Sequence, residues 1–230
     1  MLPLPELPVI VTGGSSGLGA AVADAVGKAG GIPVVLDRAE PDRDIAFERV
    51  DLADTRAAEA AVRRVAGASG GLGAVVAAAG TDACGRLADV PADAWERVVV
   101  VNLLGTAAVV RAALPALEAS RGRVVTVAST LGLRALSDAT AYCASKFGVV
   151  GFTRALAAET AGRVGVTLLV PGGMATAFFD GRPEQYKPGP DAVLNRPEHV
   201  ADAVLFALRQ PPGCEIRELV VAPSTETSWP

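Results

Sequence analysis

The 230-residue chain is half hydrophobic and carries a net charge of −4 at pH 7. It has no basic run that could follow the phosphates of DNA or RNA, so we expect no nucleic-acid partner. The length suffices for one substantial core, and we expect a single domain over residues 1–230.

Short strand-like runs alternate with longer alanine-rich helical runs, which is typical of a parallel sheet covered on both faces. Strands are predicted over residues 7–12, 33–36, 47–50, 74–78, 123–128, 164–170 and 217–222. Helices are predicted over residues 20–29, 55–68, from after Pro91 to about 117, 141–161 and 197–208. The predicted fold is α/β, a doubly wound domain with a seven-stranded parallel sheet. The long irregular stretch at residues 178–195 is either a lid over a site or a mobile surface loop.

Neither the first residues nor the apolar stretches look like a targeting or membrane segment. Residues 1–8 lack the basic and apolar regions of a signal peptide, and polar residues interrupt stretches such as 97–104 before the roughly 20 residues of a membrane span. Three widely spaced cysteines and a single histidine form neither a metal-ligand pattern nor a disulfide set. We therefore expect a cytoplasmic protein with no metal and no membrane partner.

A glycine-rich turn lies between the first strand and the first helix. It consists of Thr12, Gly13, Gly14, Ser15, Ser16, Gly17, Leu18 and Gly19. Glycines let the backbone turn tightly and approach a pyrophosphate, whose charge then meets the unpaired amides of a helix N-terminus. A turn that serves only helix packing is the alternative. The position between a strand and a helix favours a dinucleotide site and a Rossmann fold.

Asp37 ends the second strand about 20 residues after this turn. A carboxylate there can accept hydrogen bonds from both hydroxyls of an adenosine ribose, which favours NAD over NADP. The adjacent Arg38 could instead pair with a 2′-phosphate. Asp51 and Leu52, after the third strand, would lie beside the adenine. Asp51 could equally be the N-cap residue of the next helix.

Tyr142 and Lys146 are four residues apart on a predicted helix and therefore share one face. A nearby cation favours the phenolate and brings the pKa of a tyrosine toward working pH, so Tyr142 could donate and accept a proton. Ser129 ends the fifth strand, where its hydroxyl could hold a substrate oxygen. Asn102 is a polar residue in an apolar helical run. It could pin a water beside Lys146, or merely kink its own helix.

Together these residues resemble the short-chain dehydrogenase/reductase family over essentially the whole chain. Residues 12–19 fit the family's Thr-Gly-x-x-x-Gly-x-Gly, and residues 142–146 fit its Tyr-x-x-x-Lys. Ser129 and Asn102 stand at family-like intervals before the tyrosine. Residues 171–176 resemble the family's Pro-Gly segment after the sixth strand. The resemblance implies contacts with the nicotinamide end of the cofactor from Pro171, Gly172, Met174 and Thr176.

One segment departs from the family pattern. The family's Asn-Asn-Ala-Gly after the fourth strand is Ala-Ala-Ala-Gly at residues 77–80. We expect Ala79 and Gly80 still to pass the cofactor, whereas the two missing amides put some local hydrogen bonding of the sheet in doubt. The loop before Pro197 is also short for the family, which suggests a more open substrate pocket.

The resemblance implies an oxidoreductase that transfers a hydride between NAD(H) and a secondary alcohol or ketone. Tyr142 would move the proton and Ser129 would bind the substrate oxygen. Lys146 would lower the pKa of the tyrosine and bind the nicotinamide ribose, while Asn102 would support a water that links the lysine to solvent. The alternatives are an NADP-preferring carbonyl reductase, an epimerase or dehydratase, and a nicotinamide-binding sensor without turnover.

The resemblance also implies a homo-oligomer, a tetramer or a dimer. The helices over residues 103–117 and 141–161 are apolar over more than one stripe, and a helix on a sheet with its back in water needs only one. The alternative is that residues 224–230, with Trp229, cover these helices.

Overall fold

The computed structural model describes residues 3–228. The strands are β1 (Val9–Thr12), β2 (Pro33–Asp37), β3 (Ala46–Arg49), β4 (Ala74–Ala77), β5 (Arg123–Val127), β6 (Gly165–Pro171) and β7 (Glu218–Val221). The helices are α1 (Gly17–Lys28), α2 (Thr55–Ser69), α3 (Ala92–Val99), α4 (Thr106–Ser120), α5 (Thr140–Glu159) and α6 (Pro197–Leu208). Shorter elements are a π-helical segment, Val100–Gly105, and 3₁₀ turns at Thr130–Gly132, Ala177–Phe179 and Glu184–Tyr186.

The seven strands form one parallel sheet in the order β3-β2-β1-β4-β5-β6-β7. This arrangement confirms the predicted doubly wound α/β fold. The strand order reverses between β1 and β4, and in such sheets ligands bind beyond the carboxyl ends of the strands at this reversal.

Helices cover both faces of the sheet. Along β1, Val9 and Val11 pack with residues of α1 and α6 on one face, while Ile10 packs with residues of α2 and α4 on the other. Successive side chains of a strand point to opposite faces, so both sets must be apolar when both faces are buried. The valine-rich strands of the sequence follow from this constraint.

The predicted elements differ from the observed ones by at most three residues at their ends. α1 begins at Gly17 rather than at residue 20, because the last two glycines of the turn lie in its first turn. The single helix predicted after Pro91 contains the π-helical segment, in which Asn102 lies. Such segments occur frequently at functional sites.

The helical run Ala92–Ser120 is long and apolar enough to cross a membrane, by length and composition alone. We expected no such run, because polar residues interrupt its sequence. Half of its most apolar window is buried inside the fold, where α4 packs on α2 and α3 packs on α5. Buried core helices pass the same test, so the packing accounts for this composition.

The C-terminal segment lies across the turn that follows β5. Ser228 Oγ is 2.7 Å from Thr130 Oγ1, and Arg134 donates a 2.9 Å hydrogen bond to the Thr227 carbonyl. Trp229 lies outside the described residues, so the alternative that it covers a neighbouring helix stays a prediction. Within residues 3–228, Cys84, Cys143 and Cys214 are unpaired, and no cluster of three His, Cys, Asp or Glu side chains could hold a metal ion.

Candidate active site

The glycine-rich turn fills a narrow gap between the carboxyl ends of β1 and β4. Gly13 has a φ of +69°, and a Cβ on it would lie 2.7 Å from Ala79 Cα. A Cβ on Gly19 would lie 2.1 Å from the Gly13 carbonyl oxygen. Thr12 Oγ1 accepts a 3.1 Å hydrogen bond from the Ala79 amide, which ties the two strand ends together. The turn therefore requires glycine at both positions.

The N-terminus of α1 opens onto the same edge of the sheet. Its N-cap residue, Ser16, is exposed, and its side chain caps no amide of the helix. Gly17 lies against the segment that follows β6, since a Cβ on it would be 3.5 Å from Thr176 Cβ. The buried Leu18 anchors the first turn in the core. This cradle of unpaired amides fits the pyrophosphate of a dinucleotide.

Asp37 connects the end of β2 to the glycine-rich turn. Its Oδ2 accepts a 3.1 Å hydrogen bond from the Ser15 amide, and its Oδ1 accepts one of 3.1 Å from the Ala39 amide. Each carboxylate oxygen can accept further hydrogen bonds, so ribose hydroxyls fit here as well. The side chain of Arg38 is exposed beside it.

Asp51 and Leu52 have different environments. Arg97 donates a 2.8 Å hydrogen bond to Asp51, and this bond holds the pKa of the carboxyl below its ordinary value. Asp54, not Asp51, is the N-cap residue of α2, so the N-cap alternative for Asp51 is wrong. The Leu52 side chain is 5% exposed and packs in the core. Any contact of Leu52 with a ligand is therefore limited to its backbone and the edge of its side chain.

Ser129, Tyr142 and Lys146 meet beyond the carboxyl end of β5. Ser129 Oγ accepts a 3.1 Å hydrogen bond from the Leu131 amide, and Ser129 is the polar neighbour that acts to lower the pKa of Tyr142. Lys146 Nζ lies 5.5 Å from the centroid of the Tyr142 ring and donates a 2.9 Å hydrogen bond to the Val127 carbonyl. The structure thus brings together three of the four predicted catalytic side chains.

The ionisation of Tyr142 differs from the expectation that Lys146 lowers its pKa. Burial raises the pKa of Tyr142 above its ordinary value, and the hydrogen bond from Ser129 offsets only part of this effect. Burial also lowers the pKa of Lys146 to about 8. Both shifts have one cause, because removal from water disfavours the phenolate and the ammonium alike. The protein by itself therefore favours a neutral phenol at this position.

Asn102, the fourth residue, links the loop after β4 to α5. Its Oδ1 accepts a 2.8 Å hydrogen bond from the Thr81 amide, and its Nδ2 donates to the Thr81 carbonyl at 2.9 Å and to Ser145 Oγ at 3.0 Å. Ser145 Oγ in turn donates a 2.8 Å hydrogen bond to the Tyr142 carbonyl. Asn102 therefore has three direct protein contacts that position the helix that carries Tyr142.

Gly80 lies where these groups meet. A Cβ on it would be 3.5 Å from Asn102 Oδ1 and 3.7 Å from Lys146 Nζ. The segment with the missing family amides therefore still passes directly in front of Asn102 and Lys146.

The segment after β6 completes the edge. Gly172 donates a backbone hydrogen bond of 3.0 Å to β7, and the Gly173 amide donates one of 3.0 Å to Glu226 Oε2. Burial raises the pKa of Glu226, but hydrogen bonds from Ser228 and Gly173 outweigh it and hold the pKa below its ordinary value. Met174 packs against the core, and Thr176 lies against Gly17 of the glycine-rich turn. The charged carboxylate of Glu226 thus holds the backbone of this segment in place.

The irregular stretch at residues 178–195 is a loop over the site. A backbone bridge between Met174 and Asn195 closes its base. The Phe178 ring lies 5.8 Å from the Tyr142 ring, centroid to centroid. Arg182 forms a 2.5 Å ion pair with Asp82, in the loop after β4. The loop is therefore attached to the site at three points.

The predicted site residues do not include Asp82, Ser145 or Glu226. Asp82 had a usable signal, because it follows the carboxyl end of a predicted parallel strand by a few residues. Ser145 lies inside the Tyr-x-x-x-Lys segment itself. No pattern near Glu226 in the sequence indicated its contact, since its partner Gly173 is 53 residues away.

We predict that Asn102→Ala lowers the free energy of unfolding by about 1–3 kcal/mol, because it leaves the Thr81 amide and carbonyl without their partner. Ser145→Ala removes only one of the three contacts and should cost about 1 kcal/mol. Urea unfolding of both variants and of the double variant measures these values. Because the residues share a hydrogen bond, the double variant should cost less than the sum, and strict additivity would contradict the link.

Comparisons with known proteins point to one family. The family model described as short chain dehydrogenase matches residues 8–187. An uncharacterised oxidoreductase of Staphylococcus aureus (strain MW2) is 31% identical over 235 residues, which cover 97% of this chain and 100% of the relative. The glycine betaine reductase ATRR of Emericella nidulans is 31% identical over 248 residues, and the match covers 97% of this chain but only 20% of that longer protein.

Two solved structures share the fold. An alcohol dehydrogenase from the archaeon Thermococcus sibiricus, complexed with 5-hydroxy-NADP, has a TM-score of 0.83 at 23% identity, with 94% of this chain and 95% of that chain covered. The ligand-free aldohexose dehydrogenase of Thermoplasma acidophilum has a TM-score of 0.84 at 24% identity, with 94% and 92% covered. The family model matches most of the chain, and the relatives agree with it. The chain therefore belongs to the short-chain dehydrogenase family and is an oxidoreductase of that family.

Proposed function

We propose that this protein interconverts a secondary alcohol and a ketone, with NAD(H) as the co-substrate. The observation that carries the proposal is the meeting of Ser129, Tyr142 and Lys146 at the edge of the sheet that also holds the glycine-rich turn. A bound nicotinamide cofactor would supply the hydride acceptor or donor. The protein's own residues would bind the substrate, orient it and move the proton.

We assign the proton transfer to the hydroxyl of Tyr142 and the substrate oxygen to the hydroxyl of Ser129. The phenol of Tyr142 is protonated, so it has a proton to donate to the developing alkoxide when a ketone is reduced. In the direction of oxidation, phenolate formation needs a positive charge nearby, which the ammonium of Lys146 provides. Lys146 also binds the ribose hydroxyls in this proposal, and Asn102 positions α5 and a water beside Lys146.

The cofactor contacts follow the edge of the sheet from β2 to β6. The pyrophosphate would lie on the glycine-rich turn and the N-terminus of α1, and Asp37 would hold the adenosine ribose. Asp51 and Leu52 flank the adenine, and Ala79 and Gly80 pass beside the ribose near Lys146. Residues 171–176 hold the nicotinamide end. The close approach of Gly13 to Ala79 and of Gly17 to Thr176 supports this path, since it brings the three segments together at one edge of the sheet.

Incubation of the purified protein with NAD⁺ or NADP⁺ and a panel of secondary alcohols, at mildly alkaline pH, tests the activity. Absorbance of the reduced cofactor reports turnover. Reduction of cofactor that depends on the alcohol supports a dehydrogenase. Tight cofactor binding without turnover on a broad panel would favour the sensor.

We predict that Tyr142→Phe retains the fold and cofactor binding but lowers kcat by about 10² to 10⁴, because it removes the group that transfers the proton. Tyr186→Phe is the matched control, since it deletes the same atom from the only other tyrosine of the chain. Steady-state kinetics of both variants measures the effect. Near-normal turnover in Tyr142→Phe would exclude it from the mechanism.

We predict that Asp37→Ala reduces the preference for NAD over NADP, because a carboxylate that pairs with the ribose hydroxyls also repels a 2′-phosphate. Asp37 also accepts a hydrogen bond from the Ser15 amide, so Asp37→Asn serves as a second variant that keeps an acceptor for the turn. The ratio of kcat/KM for the two cofactors is measured in each protein. A wild-type preference for NADP that is lost in Arg38→Ala would contradict the assignment.

We propose further that the chain forms a homo-oligomer, a tetramer or a dimer. The interface would consist of α4, α5 and the π-helical segment Val100–Gly105. Leu104 and Phe147 support this proposal, since their side chains are 49% and 45% exposed next to an apolar helix surface.

We predict that Phe147→Glu dissociates the oligomer. Ile32→Glu is the control and should leave the oligomer intact, because Ile32 is also 49% exposed but lies just before β2, away from α4 and α5. Light scattering coupled to size exclusion measures the mass. A wild-type mass near 23.3 kDa at micromolar concentration would contradict the proposal.

A further inference from the structure

A buried ion pair stands beside Tyr142 and has no part in the proton transfer described above. Asp82 lies two residues beyond Gly80, and Arg182 belongs to the loop over the site. Arg182 Nη2 is 2.5 Å from Asp82 Oδ2, and the two side chains are 18% and 6% exposed, respectively. A full positive and a full negative charge have thus been removed from water together.

Aromatic rings place this pair next to the reacting groups. The Arg182 guanidinium lies over Phe178 and Phe179, 5.1 Å and 4.6 Å from their ring centroids. The Phe178 ring is 5.8 Å from that of Tyr142. Beside the larger effects of burial and Ser129, Asp82 raises the pKa of Tyr142 and Arg182 lowers it, so both charges act on the phenol. One wall of the site therefore consists of two rings and a balanced pair of charges.

Asp82 is the main partner of Arg182. Asp82 also accepts hydrogen bonds from the Ala83 amide at 2.7 Å and from Cys84 Sγ at 3.1 Å. Among the described residues, the Arg182 side chain has one further hydrogen bond, of 3.4 Å from Nη1 to the Tyr186 carbonyl, and its buried Nε has no hydrogen-bond partner. Within residues 3–228, Asp82 is therefore the one carboxylate in an ion pair with Arg182.

This balance has a consequence for ligands. A carboxylate that binds Arg182 either displaces Asp82 or lies beside it. Displacement leaves Asp82 buried without its counter-ion, whereas a carboxylate beside Asp82 places two negative charges next to one positive charge, and both arrangements are costly in a buried site. An uncharged compound meets the rings and leaves the pair intact. We propose that the Asp82–Arg182 pair is a specificity determinant, which makes the site accept uncharged alcohols and ketones and reject compounds with a carboxylate beside the reacting carbon. This inference rests on the proposed function, because Tyr142 marks the position of that carbon.

The test compares two compounds of the same shape, benzamide and benzoate, neither of which reacts with a reduced nicotinamide. Calorimetric titration at pH 7 gives their Kd values for the protein saturated with whichever of NADH or NADPH it binds. The proteins are the wild type, Asp82→Asn, Arg182→Gln and the double variant. Asp89→Asn is the matched control, because it removes a negative charge from the same loop at a side chain that is 67% exposed.

We expect the wild type to bind benzamide at least about tenfold more tightly than benzoate. Asp82→Asn leaves the guanidinium unbalanced, so the ratio should shift toward benzoate by at least about tenfold. Arg182→Gln should shift it in the opposite direction, and the double variant should return it to the wild-type value. Asp89→Asn should leave it unchanged. A purely structural role of the pair would weaken the binding of both compounds equally and leave every ratio unchanged.

Three results would overturn the proposal. Tighter binding of benzoate by the wild type would make Arg182 a receptor for carboxylates. An unchanged ratio in Asp82→Asn, or a change no larger than in Asp89→Asn, would remove the pair from specificity. Failure of the wild type to bind either compound would contradict a site that accepts uncharged molecules. If the protein binds neither cofactor, that result contradicts the proposed function instead. The ratio of the two Kd values is then measured on the protein without cofactor, and the same outcomes apply.

Discussion

The structure depends on one constraint, the parallel alignment of all seven strands, which brings their carboxyl ends to one edge of the sheet. The glycine-rich turn after β1, the Ala79–Gly80 segment after β4, Ser129 after β5 and the Pro-Gly segment after β6 all lie there for this reason. The hydrogen bond from the Ala79 amide to Thr12 Oγ1 fixes the first two segments against each other. Side chains that are distant in sequence thus meet at one edge of the sheet without any long-range signal in the sequence itself.

Burial controls the chemistry of this edge. It disfavours the charged forms of both Tyr142 and Lys146, so it raises the pKa of the phenol and lowers the pKa of the ammonium. The Asp82–Arg182 pair follows the same logic, because two buried charges are tolerated only when each balances the other. The site is therefore an apolar, nearly charge-balanced environment, which is the setting expected for a neutral carbonyl substrate.

Local patterns predicted the sheet, the helices and the glycine-rich turn. Apolar strand runs, alanine-rich helical runs and glycine positions can each be recognised within a short segment of the sequence. The spacing of Tyr142 and Lys146 predicted a shared helix face for the same reason. The sequence could not predict the pKa shift of Tyr142, which depends on how far the fold removes this half-buried side chain from water. It also could not predict that Asn102 would hold Thr81 and Ser145, or that Asp82 would meet Arg182, since these contacts join loops that only the tertiary fold brings together.

The central claim is that this edge of the sheet transfers a hydride between a nicotinamide cofactor and the carbinol carbon of an alcohol. Isotope transfer tests it most directly. The protein is incubated with a panel of ketones and with reduced cofactor deuterated at either of the two positions on nicotinamide C4, and the alcohol is analysed by mass spectrometry. We expect one deuterium on the carbinol carbon from one of the two labelled cofactors and none from the other. An alcohol whose carbinol hydrogen comes from solvent, or no alcohol from any ketone of the panel, would contradict it.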